Sequence, residues 1–345
     1  MTDMKARLAA VHAPSEFFDP DAGIRKSIGL IKQAAAQQVD LIVFPESFVP
    51  GFPVWNSYLR PTDGHDLFAR FADASLTVDG PEIAAIRDAA RSAGIAVWFA
   101  FSERATYSSG CLWNSAVLIG PDGELCVHHR KLVPTFYEKL TWNRGDGAGL
   151  RVCQMSFGKV GGLICGENGN PLARYALMAQ GEQIHCASYP SVWPFRDPRT
   201  SAAYDMSEAT RIRAAAHSFE AKVYTVVSTS MFDDQSMQTV CGGDTDMRAM
   251  LSACRGGGAM IVAPDGSTPG GVLYGEEGLV IADVDISALT ELKQHHDMAG
   301  YYNRHDIFRL EVDFKRQKPL YWADKTQNRT EVLLTMQDES FTLLD

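Results

Sequence analysis

Cys165 ends Val160-Gly161-Gly162-Leu163-Ile164, a compact apolar run that reads as a buried strand, and Gly166 follows it. A helical segment started by Pro171 runs on to about Gln180. A thiol at the carboxyl end of a strand and ahead of a helix lies where open α/β sheets place their ligands. Backbone N–H groups and the helix dipole at such a place favour the thiolate, the form that attacks electrophiles. The chemistry to expect is nucleophilic attack by sulfur.

A sulfur nucleophile needs a base and a positive charge, and two residues stand in matching positions. Glu46 comes just past Leu41-Ile42-Val43-Phe44, and Lys131 follows the strand-like stretch that ends in His128-His129-Arg130. If these strands are neighbours in one sheet, Glu46, Lys131 and Cys165 converge at one edge. A carboxylate beside a cysteine takes its proton as general base. A lysine there stabilises the thiolate and later any anion built on the substrate. Glu138, a short distance past Lys131, is placed to orient that lysine or the attacking water.

Other tempting residues read as structural. Alternation along a strand sends His128 and His129 to opposite faces, so at most one reaches the site. Gly242-Gly243 and Gly256-Gly257-Gly258 fit neither phosphate-loop pattern. His295-His296 has no further ligand at metal spacing and reads as a surface pair. The seven cysteines, at 111, 126, 153, 165, 186, 241 and 254, contain no Cys-x-x-Cys and are odd in number. That speaks against a disulfide framework and against a zinc ribbon. No metal is expected.

The elements that must hold these residues alternate between strand and helix, the mark of an α/β fold. Leu8–Val11, Leu41–Phe44, Ile95–Phe101, Ile184–Ser188 and Val223–Val227 read as strands. The helix after Asp21 is expected to bury Ile24, Ile28, Ile31 and Ala35. A second runs from Pro81 to Gly94 with Ile83, Ile86 and Ala90 on one stripe, and a third from about Met206 to Glu220. Ser115–Ile119 and Glu124–His128 flank the turn Pro121-Asp122-Gly123, and Ala259–Val262 and Leu279–Val284 flank Pro264-Asp265-Gly266. No repeat or linker interrupts the series. Residues 1–312 are expected to form one domain, and the polar stretch 313–345 an interaction arm.

Composition narrows the function classes. The 345 residues are 46% hydrophobic and 21% charged, enough to bury a substantial core. A net charge of −10 without a long basic run gives nucleic-acid binding no electrostatic support. No uncharged apolar stretch approaches the roughly 18 residues of a membrane span. Met1-Thr2-Asp3-Met4-Lys5 opens no signal-peptide core. The expectation is a soluble cytoplasmic protein with neither nucleic acid nor membrane as partner.

Several longer segments carry a resemblance. They are Phe44-Pro45-Glu46, Gly51-Phe52-Pro53-Val54-Trp55, His129-Arg130-Lys131-Leu132-Val133-Pro134-Thr135, Tyr137-Glu138, Gly145-Asp146-Gly147 and Cys165-Gly166-Glu167-Asn168. Ser191-Val192-Trp193-Pro194, Ala263-Pro264-Asp265-Gly266, Leu273-Tyr274-Gly275-Glu276-Glu277-Gly278 and Asp306-Ile307-Phe308-Arg309-Leu310 continue the order. Together they resemble the nitrilase branch of the carbon–nitrogen hydrolase superfamily. The resemblance implies a four-layer α-β-β-α sandwich and a Glu-Lys-Cys triad with a second Glu, falling on Glu46, Lys131, Cys165 and Glu138. It implies no metal or organic cofactor. It also implies homo-oligomers, dimers or larger spirals, with the tail past Asp313 threading between subunits.

The reaction implied is nitrile plus two waters to carboxylate and ammonia, through a thioimidate and then a thioester on Cys165. Phe52, Trp55, Trp142, Tyr189 and Trp193 lie in motif-adjacent loops and are expected to shape an apolar substrate pocket. Gly166 is the main departure, since many nitrilases carry Trp there. The missing indole leaves space beside the thiol, which predicts that a bulkier or α-substituted nitrile is admitted. An amidase or a cyanide-hydrolysing enzyme on the same scaffold is the nearest alternative. A non-catalytic scaffold or filament protein is the alternative from another class, and it needs none of the four charged or nucleophilic groups.

Overall fold

The computed structural model describes residues 4–202 and 204–321. The chain divides into two units, Met1–Phe314 and Lys315–Asp345. Of the second unit, 315–321 are described and contain neither helix nor strand. The expected inter-subunit tail therefore lies mostly outside the described residues.

Among the described residues the strands are β1 (Lys5–Pro14), β2 (Leu41–Val43), β3 (Ala96–Ala105), β4 (Ser108–Ile119), β5 (Leu125–Arg130) and β6 (Cys153–Met155). They continue with β7 (Gly158–Ile164), β8 (Ile184–Tyr189), β9 (Tyr224–Met231), β10 (Ala259–Val262), β11 (Val272–Leu273) and β12 (Gly278–Asp285). The helices are α1 (Pro20–Ala36), α2 (His65–Ala74), α3 (Pro81–Ala93) and α4 (Pro171–Met178). After them come α5 (Met206–Ala221), α6 (Asp234–Cys241), α7 (Thr245–Ser252) and α8 (Leu289–His295). No helix among the described residues is long and apolar enough to cross a membrane.

Hydrogen bonding runs through every strand, but β1 and β9 change partners along their length. β1 pairs with β12 and β2 over its first residues and reaches β9 only at His12, Ala13 and Pro14. β9 lies against β8 and, over Thr225–Val227, against β10. Two halves result, β5-β4-β3-β2-β1-β12 and β6-β7-β8-β9-β10-β11, joined at the β1–β9 corner.

The alternation of side chains along a strand explains the layers. Leu8, Leu41, Val43 and Trp98 from the first half share one buried cluster with Val160, Ile164, Ile184 and Val226 from the second. Ala9, Val11, Ile42 and Phe99 point the other way, under Ile24 and Ile31 of α1 and Ile83 and Ile86 of α3. On the far side Leu163 packs with Ala173 and Leu177 of α4, and Ser218 of α5 bonds Thr225 of β9 at 2.8 Å. This is the expected α-β-β-α sandwich. The inner gap is narrow where Trp98 of β3 covers Gly162 of β7. A Cβ at Gly162 would come 2.9 Å from the indole Cη2 and 2.8 Å from the Cys186 carbonyl oxygen.

Local physics accounts for most of the expected elements and for the departures. Asp19 caps α1, its carboxylate accepting the Ala22 N–H at 2.9 Å, with Pro20 in the first turn. The buried stripe is Gly23, Ile24, Ser27, Leu30, Ile31 and Ala34, which leaves Ile28 and Ala35 only half-buried. Gly23 is the reason, because a Cβ there would meet Val49 Cγ2 at 2.8 Å. The small residue draws the helix down and turns its stripe by one position. α3 buries Ile83, Ile86 and Ala90 as expected and ends at Gly94, whose φ of +68° is left-handed. β3 and β4 form one long hairpin joined through Thr106 and Tyr107, a turn with none of the usual turn residues.

Candidate active site

The site is built at strand ends. Past β2 the chain runs through Phe44 and Pro45 to Glu46, whose N–H donates to the Tyr189 carbonyl at 3.1 Å and so crosses to the second half. Lys131 leaves β5 with its N–H on the Asn114 carbonyl at 2.8 Å. Cys165 follows β7 at once and opens a 3₁₀ turn, Cys165–Gly169, with φ of +52°. A non-glycine residue held in the left-handed region stores strain of order 1–3 kcal/mol, and such residues cluster at functional sites. A second 3₁₀ turn, Phe136–Leu140, places Glu138, whose N–H donates to the Thr135 carbonyl at 3.0 Å while its carboxylate reaches back to the Thr135 N–H.

These residues converge. Lys131 Nζ donates to Glu46 Oε1 at 2.7 Å and to Glu138 Oε2 at 2.6 Å. The Asn114 side chain also donates to Glu46 Oε1, at 2.7 Å. Glu138 Oε2 accepts the Thr135 N–H at 2.9 Å, and its Oε1 accepts the Trp193 indole N–H at 3.2 Å. One carboxylate oxygen each of Glu46 and Glu138 and the Cys165 sulfur all lie within 4.8 Å of one another. Glu46, Lys131 and Glu138 are fully buried, and Cys165 is 8% exposed.

Burial governs the protonation states. It pushes Glu46 up to about 7, against the pull of Lys131, with Glu138 pushing the same way as burial. Lys131 loses charge stability through burial, yet Glu138, Glu46 and Cys165 more than restore it and hold the ammonium well above its ordinary value. The thiol is pushed well up by burial and then by Glu46, with Lys131 opposing. The dipole-stabilised thiolate expected from the sequence is therefore not the resting form. At rest the site holds a thiol beside a carboxylate able to take its proton.

Two buried networks set the nucleophile's position. Glu167 accepts the Ile164 N–H and the His129 ring N–H, each at 2.9 Å, on one oxygen and the Leu132 N–H on the other. It thereby ties the residue before Cys165 to the residue after Lys131. Asn168 donates to the Cys165 carbonyl at 3.0 Å and to the Leu163 carbonyl at 3.3 Å, and its Oδ1 accepts from His185 Nε2 at 2.7 Å. His185 Nδ1 lies 2.8 Å from Glu182 Oε1, and His217 Nε2 lies 2.8 Å from Glu182 Oε2. As expected, His128 and His129 face opposite ways; His128 meets Glu103 at 2.8 Å. His296 is not a bare surface residue, since its ring packs on Phe219 and Tyr302.

Among the described residues two clusters bring metal-ligating atoms together, and neither donor set suits an ion. In Glu46–Glu138–Cys165 the Lys131 ammonium already lies between the carboxylates. In Glu182–His185–His217 both carboxylate oxygens are engaged by the two imidazoles, and the second His185 nitrogen is engaged by Asn168.

The aromatic residues expected at the pocket are distributed unevenly. Trp193 touches Glu138 directly, and its ring stacks on Tyr137 at 5.5 Å. Phe52 lies 5.6 Å from Trp142 and 6.5 Å from Tyr137, while Trp142 donates to Ser102 at 3.0 Å. Trp55 is packed between Phe18 and Phe71, at 5.5 and 5.4 Å. Tyr189 is buried in the inner cluster that also holds Cys165. A Cβ on Gly166 would meet only Thr135 Oγ1, at 3.1 Å. A cavity of about 270 Å³ lined by Tyr58, Phe136, Tyr137, Phe195 and Met250 opens beside this group. A larger one, about 970 Å³, lies away from the thiol, between α4 and residues 298–314. Sequence reading did not single out Asn114, Glu182 or His185. Asn114, a polar residue within an apolar strand, was the visible signal.

Known proteins resemble this chain along most of its length. Residues 7–294 match the family model for carbon-nitrogen hydrolase. The chain is 33% identical over 333 residues to an aliphatic nitrilase of Rhodococcus rhodochrous, covering 95% of this chain and 88% of that protein. It is 36% identical over 309 residues to a nitrilase of Pseudomonas syringae pv. syringae, covering 88% of each. Among solved structures, an amidase from Nesterenkonia sp. AN1 superposes with a TM-score of 0.62 at 17% identity, over 86% of this chain and 98% of that one.

Proposed function

Because the chain belongs to the nitrilase branch of the carbon–nitrogen hydrolase family, we propose that it hydrolyses an organic nitrile to the carboxylic acid and ammonia at Cys165. One observation carries this reading: a buried lysine bridges two buried carboxylates beside a buried thiol. Burying that many ionisable groups is costly without a task for them.

The steps follow from the protonation states. Sulfur attacks the nitrile carbon as Glu46 takes the thiol proton, and Glu46 returns it to nitrogen to give a thioimidate. Lys131 faces the developing negative charge, with the Gly166 N–H as a second donor. Glu46 then activates a water, ammonia leaves, and a thioester remains. A second water releases the acid. Glu138 holds the lysine in place. Trp193, Tyr189 and Gly166 border the acyl group, and Phe52, Trp142 and Trp55 form the aromatic packing behind them.

The reading extends to the assembly. Exposed Leu172 on α4 and Ile212 and Phe219 on α5 support a homo-oligomer, a dimer or a larger spiral, with 313–345 contributing contacts. Seven unpaired cysteines suit the reducing cytoplasm. Light scattering on the purified protein tests the first point.

Ammonia release from a panel of aliphatic and aryl nitriles, amides and cyanide tests the reaction. Release from nitriles by the wild type and none by Cys165→Ala is the expected result. Turnover of amides or cyanide alone would reassign the chain to another hydrolase on this scaffold. Equal readings for wild type and variant would leave a non-catalytic scaffold.

A further inference from the structure

Around the thiol, Glu46 Oε2, Asn114 Oδ1, the Tyr137 hydroxyl and the Tyr189 hydroxyl have no hydrogen-bond partner among the described residues. Glu46 serves the reaction and Asn114 holds it, but neither phenolic hydroxyl has been given a task. Tyr137 is 6% exposed and Tyr189 1%. Leaving a buried hydroxyl unpaired is costly, so a native protein rarely does so without a use.

Both phenols belong to the site by geometry. Tyr137 directly precedes Glu138 in the same turn and stacks on Trp193, which itself donates to Glu138. Tyr189 ends β8, and its carbonyl accepts the Glu46 N–H. Each hydroxyl is within electrostatic reach of Cys165 and Glu46. Burial raises both phenols above their ordinary value, so both remain protonated and act as donors. The space beside the thiol at Gly166 is bounded by a third hydroxyl, Thr135 Oγ1.

With Lys131 and the Gly166 N–H assigned to the nitrile nitrogen, two further buried phenolic donors call for an acceptor elsewhere on the substrate, which a hydrocarbon nitrile does not carry. Resting on the nitrilase reading above, we propose that Tyr137 and Tyr189 bind an ether or hydroxyl oxygen on the carbon next to the nitrile. The preferred substrate class is then α-oxygenated nitriles. Tyr137 and Tyr189 are specificity-determining residues that touch the substituent, while Lys131 and Glu46 serve the reacting carbon and nitrogen.

A matched pair of substrates isolates the contact. Methoxyacetonitrile and butyronitrile have nearly the same shape and differ by an oxygen in place of a methylene. The readout is the ratio of their kcat/KM values in the wild type, Tyr137→Phe and Tyr189→Phe. Intrinsic reactivity and any loss of folded enzyme cancel when the ratio in a variant is divided by the ratio in the wild type. Loss of one neutral hydrogen bond is expected to lower the ratio about three- to ten-fold in each variant. Unchanged ratios in both variants overturn the proposal. So does a variant that loses both substrates alike, since the phenol then serves the chemistry or the fold. If the wild type releases no ammonia from any nitrile, the functional reading itself has failed. If it hydrolyses butyronitrile with ratios unmoved by the variants, only this inference has.

Discussion

His129 and Glu167 form a buried pair, Nε2 to Oε2 at 2.9 Å, between the segment that carries Lys131 and the strand that ends in Cys165. Burial pushes the Glu167 carboxyl up, but His129 and the backbone N–H groups of Leu132 and Ile164 outweigh it and leave it below its ordinary value. The pair fixes the distance between cation and nucleophile without touching the substrate.

Replacing Glu167 with Gln turns one acceptor oxygen into a donor that faces another donor. The nucleophile and lysine should then drift apart. The expected fall in kcat is roughly 10- to 100-fold, since a shift of about 1 Å at reacting groups costs about that much. Steady-state ammonia release checks it, and a kcat within two-fold of wild type would remove Glu167 from the positioning role.

The acid limb of kcat/KM reports the free enzyme's base. Glu46 must be ionised to take the thiol proton, so activity declines as pH falls through about 7, where burial has pushed that carboxyl. Glu138 adds to the upward push, so Glu138→Gln should move the limb to lower pH as well as lowering the rate. A limb that stays in place in Glu138→Gln contradicts this electrostatic coupling.

Gly166 borders open space apart from Thr135 Oγ1. Gly166→Trp should therefore fold and fill the region beside the thiol. Its kcat/KM on bulky nitriles is expected to fall at least ten-fold relative to small ones, since overfilling a well-packed pocket costs about 1–3 kcal/mol. Equal relative rates in the two enzymes would refute the idea that Gly166 makes room.

Acid stability tests the second network. Burial, helped by His185, lowers His217 from 6.5 to about 4, so the unfolded chain takes up that proton first and stability falls from pH 6.5 towards 4. Burial pushes Glu182 up, yet His185 and His217 hold it at about 2. Its contribution is complete above the unfolded value of 4.5 and is lost as pH falls towards 2. Both effects lower the melting temperature on the acid side. In His217→Gln the decline between pH 6.5 and 4 should be shallower, and parallel melting curves for variant and wild type would exclude His217 as its source.

The candidate residues Glu46, Lys131 and Cys165 were readable because each lies at or just past the end of a strand, and strands announce themselves by composition. Glu138 was placed by spacing alone, and only the tertiary fold shows that its turn bends it back onto Lys131. The thiolate expectation failed because local backbone dipoles can be read from sequence, whereas burial by a second sheet cannot. Glu182, His185 and His217 come together from β8, its preceding loop and α5, so no local pattern marks them. The stripe of α1 was shifted by a contact with Val49, a loop residue that periodicity does not consider. α2, α6, α7 and α8 were not anticipated. Each is short, and α6 and α7 depend on the Asp233 and Asp244 caps rather than on a long apolar stripe.

Glu46 and Lys131 hang from one half of the sandwich and Cys165 from the other, and Trp98 lies between the halves on Gly162. The indole is thus a spacer, and on the proposed mechanism its thickness helps set how far the thiol proton must travel to the carboxylate. A reaction rate that depends on interlayer distance is the expected consequence. A change at Trp98 or Gly162, remote from any substrate, acts on the same coordinate as a change in the base itself.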